Sequence, residues 1–324
     1  RECFESLGIT SFKFYLTYRG PDAELMGISG IDDGFLYECM SEVASLSGGL
    51  LCLHAENIEI IQRLRQKLIA SGRADLRAYS ESRPPFTEAE AIGRAISLAE
   101  AARCPILIHH LSSRKGLEEV RGGRRRFPFI YLETTPTFLT HTEDSELGAA
   151  GKVKPPLRKR EDLEALWKGL KGGTIDTVGS DHVPRKRALK EADLWNPVTG
   201  VPGAATLLPV LLSEGAHRRG MSLEQVARAT SFNPARLYGL YPRKGCLAPG
   251  SEADLTVVDM ELEKEVRAEE LFSHADYSLY EGWRLRGWPV LTMVRGRVVM
   301  RDGKVTGQAG SGRYVPRSQG LSPL

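Results

Sequence analysis

The chain has 324 residues, 41% of them hydrophobic, and its 44 basic residues nearly balance 41 acidic ones to leave a formal charge of +3. That is enough apolar material for one large domain or two ordinary ones. The near-neutral balance gives no reason to expect nucleic acid or an anionic membrane surface as a partner, and no apolar run approaches the roughly eighteen residues of a membrane helix.

The first residues read as a helix, and the chain opens on Arg1 rather than Met. No stretch reads as a signal peptide. The expectation is that the N-terminal part of a longer protein is missing. Cys3, Cys39, Cys52, Cys104 and Cys246 include no pair spaced two or three apart. This excludes a zinc knuckle or a vicinal redox pair, and an odd number fits reduced thiols and a cytoplasmic location.

The first strand candidate is "SFKFYL" (11–16), an apolar and aromatic run with Lys13 in its middle. Further candidates are "LLCLH" (50–54), "PILIHH" (105–110), "FIYLET" (129–134) and "DTVGSD" (176–181). Helical patterns separate them. One is "NIEIIQRLRQKLIASG" (57–72). Another is "TEAEAIGRAISLAEAA" (87–102), where Ile92, Ile96 and Ala99 recur at helical spacing and Thr87 with Glu90 has the form of a capping box. The basic run "RGGRRRF" (121–127) reads as a solvated helix end and loop. Strand–helix alternation over this length predicts a parallel α/β sheet or barrel.

After about Gly245 the pattern changes. "ADLTVVD" (253–259), "PVLTMVRG" (289–296) and "RVVMRDGKV" (297–305) are strand-like, with turns expected at Arg295-Gly296 and Asp302-Gly303. The expected division is residues 1–245 as the C-terminal part of an α/β barrel and 246–307 as a small β portion. Residues 308–324, rich in Gly, Ser and Pro, form a flexible arm.

In a parallel barrel the active site collects at the C-terminal ends of the strands. Here His54 ends one strand, His109 and His110 another, and Asp181 a third, while Lys13 lies inside a fourth. Each has an ordinary alternative. A strand-end His can be a hydrogen-bonded structural residue, Asp181 can cap the next segment, and Lys13 can snorkel outward. Together they suit a divalent ion, because imidazole nitrogen and carboxylate oxygen are ligands of Zn²⁺ and its neighbours. Burial favours the neutral amine of a lysine. A neutral amine can add carbon dioxide and become a carbamate, an anion with two oxygens.

On these residues the chain resembles the cyclic amidohydrolases: hydantoinase, dihydropyrimidinase, allantoinase and dihydroorotase. "SFKFYLTY" resembles their carbamylated-lysine strand, "HAEN" (54–57) and "IHHLSS" (108–113) their histidine strands, and "GSDHVP" (179–184) their aspartate strand. "ETTPTFL" (133–139) resembles the segment after the following strand, where relatives often have Cys, Pro and His. "KPPLR" (154–158) resembles the substrate loop, and 233–259 the passage from barrel to β-sandwich. The resemblance implies a TIM-like (β/α)8 barrel, its first strands absent from this chain, with a small C-terminal β-sandwich portion.

It also implies two divalent metal ions, zinc foremost, with manganese or another ion as alternatives. One would be held by carbamylated Lys13, His54 and His110. The other would be held by the carbamate, Asp181 and a His-x-His motif on the first strand, and no His-x-His occurs in this sequence. An upstream segment on the order of a hundred residues is therefore expected to carry it. The implied reaction is hydrolysis of a cyclic amide, imide or ureide by a metal-activated hydroxide. Asp181 would move the proton, and Tyr18 would donate to the developing oxyanion. Lys154 and Thr199 would join Tyr18 in binding substrate, although Lys154 stands where relatives have Ser or Asn. The register of Tyr18 leans to hydantoinase or dihydropyrimidinase. Allantoinase and dihydroorotase are the alternatives, and a non-catalytic dihydropyrimidinase-like scaffold is the alternative of another class. By the same resemblance the protein is a homo-oligomer, a dimer or tetramer, with no nucleic-acid or membrane partner.

Overall fold

A computed structural model describes residues 1–20, 23–24, 27–191, 193–196 and 198–317. Five parallel strands follow in chain order across one sheet: β1 (Ser11–Tyr15), β2 (Leu50–His54), β3 (Ile106–Ile108), β4 (Ile130–Thr134) and β5 (Thr177–Val178). Each falls inside its predicted stretch. β3 stops before the two histidines because the backbone turns there, with His110 at φ +41°. β5 is cut to its first part: the Gly179 amide still donates to Thr134 O, and the backbone then turns away, Asp181 with φ +43°.

The helices between the strands cover the outer face. Asn57 caps the helix Ile58–Ala70 by accepting from the Ile60 amide. The next long helix corrects an expectation. It runs Pro85–Ala102, with Pro84 at the cap and no side-chain capping bond. Proline at the first helical position lets the helix start early, since it has no amide to satisfy. Thr87 therefore lies inside the first turn and donates to Pro84 O, while Glu90 accepts from Asn57. The basic run forms the end of the helix Arg114–Arg124, as expected, and Arg124 also ties that end to Asp176. Gly123 permits close packing there, since a Cβ would stand 2.8 Å from Ile96 Cδ1.

Alternation along the strands separates two apolar layers. Leu51, Leu53, Ile106, Ile108, Ile130 and Leu132 pack outward on the helices with Ile92, Ile96 and Val120. Leu50, Cys52, Leu107 and Tyr131 face the other way and meet Leu237. Burying one such aliphatic side chain contributes roughly 1.5–3 kcal/mol, so the layers fix the strand register. Continued towards the strand ends, the inner parity reaches Lys13 and Tyr15, His54, His109 and Glu133. The register pairs Lys13 with Cys52 and Tyr15 with His54.

The β portion is a four-stranded antiparallel sheet: β6 (Leu255–Glu265), β7 (Arg284–Val294), β8 (Arg297–Arg301) and β9 (Lys304–Val305). Both predicted turns are present. Arg295-Gly296 and Asp302-Gly303 have positive φ at both residues, the backbone of a tight hairpin turn. The apolar core is continuous across both parts, with Leu212, Val266 and Leu285 in one cluster with Leu51 and Ile106. Beyond β9 the chain returns to the start of β1, where the Arg317 amide donates to Gly8 O and the Arg317 guanidinium covers the Tyr238 ring at 5.2 Å.

Candidate metal centre at the strand ends

Strand β1 projects Lys13 onto the inner side of the sheet, at the level of Cys52. Burial pushes its ammonium down to about 8, while Cys52, Glu133 and Asp181 oppose the shift. Its Nζ stands 5.3 Å from the centre of the Tyr15 ring. No hydrogen bond or ion pair of the Lys13 ammonium occurs among the described residues.

His54 ends β2 and is buried. Its Nε2 lies 2.7 Å from Glu56 Oε2, and Arg83 Nη1 lies 2.6 Å from the same oxygen. Thr17 Oγ1 adds a longer bond, at 3.4 Å. Burial pushes Glu56 up, but Arg83 and the His54 hydrogen bond outweigh it and hold the carboxyl well below the usual range. Burial pushes His54 down to about 4, with Glu56 opposing. A neutral imidazole facing a carboxylate must carry its proton on Nε2, which leaves the Nδ1 lone pair for an electrophile.

His110 follows β3 and packs edge-on against His54, ring centres 4.5 Å apart. Burial holds it well below the ordinary imidazole value. Its Nδ1 is buried with no hydrogen-bond partner. His109 turns instead to Glu133, with Nδ1 3.3 Å from Oε1. Burial pushes Glu133 up to about 7, Lys13 opposes, and Asp181 adds to the rise. The Glu133 carboxylate needs Gly179 beside it, because a Cβ there would stand 2.7 Å from both of its oxygens. Asp181 opens to solvent. The protein mass around it still pushes its carboxyl up, and Lys13 pulls the other way. Left-handed backbone costs a non-glycine residue roughly 1–2 kcal/mol. Two of the sequence-predicted ligands, His110 and Asp181, bear that cost.

The other predicted residues adjoin this mouth at different distances. Tyr18 is buried, its ring 5.5 Å from Tyr15. Lys154 is also buried and places Nζ 4.9 Å from the Tyr18 ring centre. Thr199 is half-buried on a loop that meets the segment after β5 through the Val183 amide to Val201 O at 2.9 Å and through His182 Nδ1, which accepts from the Gly203 and Ala204 amides. Sequence reasoning missed Tyr15, Arg83, Glu133 and the role of Glu56 in holding His54. Strand parity pointed to Tyr15 and Glu133, two residues beyond Lys13 and Tyr131. Nothing local pointed to Arg83, which is brought to Glu56 from 27 positions along the chain.

Among the described residues no three His, Cys, Asp or Glu side chains converge closely enough to hold a metal ion by themselves. The set His54, His110 and Lys13 fits one if the lysine becomes an anion. Two neutral imidazoles stand together, one oriented through its far nitrogen and the other with a buried unpartnered nitrogen. The cavity of about 760 Å³ that includes Phe129, Ile175 and Asp176 lies at the opposite ends of β4 and β5 and takes no part.

A model of the amidohydrolase family matches residues 38–299. An L-hydantoinase of Paenarthrobacter aurescens is 38% identical over 292 residues, which are 89% of this chain and 64% of the relative. A D-phenylhydantoinase of Escherichia coli O1:K1 is 35% identical over 98% of this chain and 68% of its own length. The crystal structure of dihydropyrimidinase from Brevibacillus agri superposes with a TM-score of 0.92 at 31% identity, covering 99% of this chain and 70% of that one. The chain thus spans about two thirds of the length of these relatives. The five strands are part of the relatives' barrel, and the antiparallel sheet is part of their β-sandwich. The family implies a binuclear divalent metal centre, and among the described residues no helix is long and apolar enough to cross a membrane. With its model matched over most of the sequence, the chain belongs to the amidohydrolase family.

Proposed function

We propose that this chain forms the larger part of a hydrolase that opens the ring of a cyclic amide, imide or ureide of the hydantoin and dihydropyrimidine type. The observation that carries the reading is the pairing of His54 and His110 beside an uncaged Lys13, with His54 held from behind by Glu56 and Arg83. A scaffold has no need to gather at one mouth two buried neutral imidazoles and a lysine with no hydrogen-bond acceptor among the described residues.

In this reading Lys13, as its carbamate, would hold both ions, His54 and His110 would complete one, and Asp181 would contribute to the other. Divalent ions, zinc foremost, would supply a polarised ring carbonyl and a hydroxide near neutral pH. The remaining work belongs to the chain. Asp181, raised by its surroundings and open to the mouth, takes a proton from the nucleophile and passes it to the leaving ring nitrogen. Tyr18 donates its phenolic proton to the oxygen on which negative charge grows, and a neutral phenol adds no charge to the resting site. Glu56 keeps the His54 proton on Nε2 throughout.

The test is a panel of hydantoin, dihydrouracil, allantoin and dihydroorotate offered to the full-length protein loaded with zinc or manganese. Ring opening of the first two, together with two bound ions per chain, is the expected result. Turnover confined to allantoin or dihydroorotate overturns the substrate class. No turnover of any ring by the fully loaded protein overturns the enzyme reading.

A further inference from the structure

The two histidines that stand together at the mouth are oriented by different means. His54 is held through its ring, by Glu56 with Arg83 behind it. The His110 ring makes no hydrogen bond among the described residues. It packs edge-on against His54 and is carried on a backbone with φ +41°. That conformation costs a residue with a side chain roughly 1–2 kcal/mol, so the neighbouring chain must hold it.

The hold lies in the next three residues. The Leu111 amide donates to Glu133 O at 2.7 Å, and Thr134 Oγ1 donates to Leu111 O at 2.8 Å. Ser112 donates twice to Glu88 Oε1, from its amide at 3.0 Å and from its hydroxyl at 2.9 Å, and Ser113 Oγ donates to Glu88 Oε2. Glu88 stands in the first turn of the helix Pro85–Ala102 and is 2% exposed. The approach is close, since a Cβ on Gly116 would stand 2.7 Å from Leu111 Cδ1 and 3.3 Å from Glu88 Oε2. Arg158 Nε donates to Ser112 Oγ at 2.9 Å and its Nη1 donates to Arg83 O, which joins the hold on His110 to the hold on His54. The helix that follows is capped by Ser113 Oγ itself, which accepts from the Gly116 amide at 3.1 Å, so Glu88 is not its cap.

We propose that Glu88 is a positioning residue of the metal centre. It fixes His110 through the Ser112–Ser113 turn, as Glu56 fixes His54 through its ring. The proposal rests on the metal-binding part of the ring-opening reading and on the Glu88–Ser112–Ser113 geometry. Glu88 touches neither the reacting atoms nor the ion, so its effect runs through His110 alone. Without Glu88 the buried Ser112 amide loses its acceptor, and the left-handed turn before it loses its anchor.

The test uses the full-length protein. Zinc affinity is measured by competition with a chelator, and cobalt(II) in place of zinc reports the ligand arrangement through its visible absorption. Glu88→Met fills the space but accepts no hydrogen bond from either serine. It should weaken zinc binding by about tenfold to a hundredfold, the range for losing a group that orients a ligand, and should shift the cobalt bands. Glu88→Gln keeps one accepting oxygen for Ser112 and should recover part of both. In a His110→Ala background Glu88→Met should weaken zinc binding no further, because its route is gone. Ser112→Ala removes only the hydroxyl link and serves if the methionine variant does not fold. A lower melting temperature of the metal-free Glu88→Met protein, with zinc affinity and cobalt bands unchanged, overturns the proposal and leaves Glu88 as packing. So does a loss of affinity that is as large without His110 as with it. If zinc binds and no ring is opened, the ring-opening reading fails, but the affinity comparison still decides the role of Glu88. An unmodified protein that takes up no zinc overturns both.

Discussion

Two regions of this chain treat a desolvated lysine in opposite ways. Lys152, in the segment between β4 and β5, and Lys190, in the short helix Arg187–Glu191 beyond β5, are fully buried and caged by oxygens. Lys152 donates to Asn196 Oδ1 and to the carbonyls of Asp193, Leu194 and Asn196, while Lys190 donates to Ala150 O, Gly200 O and Tyr277 Oη. Lys13, at the strand mouth, has carboxylates in its field but no hydrogen-bond acceptor among the described residues. Burial lowers all three, to about 8 for Lys13 and Lys152 and about 7 for Lys190. The lowered value therefore does not separate chemistry from structure. The cage does. An ammonium surrounded by carbonyls ties loops together, and one left without acceptors can be turned into something else.

The strongest way to break that comparison is Lys13→Ala in the full-length protein. Metal content and turnover should fall together to background, and a short-chain carboxylic acid should restore part of both by standing in for the carbamate. Elemental analysis after gel filtration reads the metal. Two ions retained in Lys13→Ala would make Lys13 one more buried lysine and remove the contrast.

Asp181 and Tyr18 sharpen the same contrast from the side of the mouth. Asp181→Asn should lower kcat by about 10²–10⁴, the scale for a positioned acid–base group. Its melting temperature should move little, since the residue is open to solvent. Tyr18→Phe should cost about 10²–10³ in kcat, the scale for one oxyanion donor. Binding should change less, because the bond strengthens as charge develops. Unchanged turnover in Tyr18→Phe would mean that Tyr18 only packs between Tyr15 and Lys154.

Much of this was legible before any coordinates. An apolar run with one lysine, and strands that end in His and Asp, already placed Lys13, His54, His110 and Asp181 at one end of a parallel sheet, because a parallel strand presents its last side chains at a common mouth. Less visible was anything that depends on where the chain folds back. Arg83 reaches Glu56 from a separate loop, and the cages of Lys152 and Lys190 are built mostly from backbone carbonyls, which no side-chain pattern encodes. Gly179 read as part of a strand, yet its role is to leave room for the carboxylate of Glu133. The misread start of the helix at Pro85 has the same origin. Two adjacent signals competed, and the proline prevailed over the capping pattern behind it.

The smallest expected effect tests the cages themselves. Lys190→Met leaves Ala150 O without its donor and Gly200 O with only the Tyr277 hydroxyl at 3.3 Å, which should lower stability by about 1–3 kcal/mol at neutral pH, with metal content unchanged. The pH dependence then tells whether the caged ammonium sheds its proton. A lysine lowered to about 7 in the folded state keeps an ordinary value near 10.4 when unfolded. Between these values the unfolded chain binds more protons than the folded one, so the Lys190 contribution to stability rises with pH. The useful window is pH 7 to about 9, because above it Cys52, pushed up to about 12 by burial, acts in the opposite direction. Within the window the unmodified protein should gain stability relative to Lys190→Met, by at most about 1.4 kcal/mol per pH unit, read from urea midpoints at matched ionic strength. Equal slopes for the two proteins would mean that the three oxygens around Lys190 hold its proton against burial. The cage would then stabilise the charge itself, and Lys13, which has none, would be the one lysine of the three free to become neutral near pH 8.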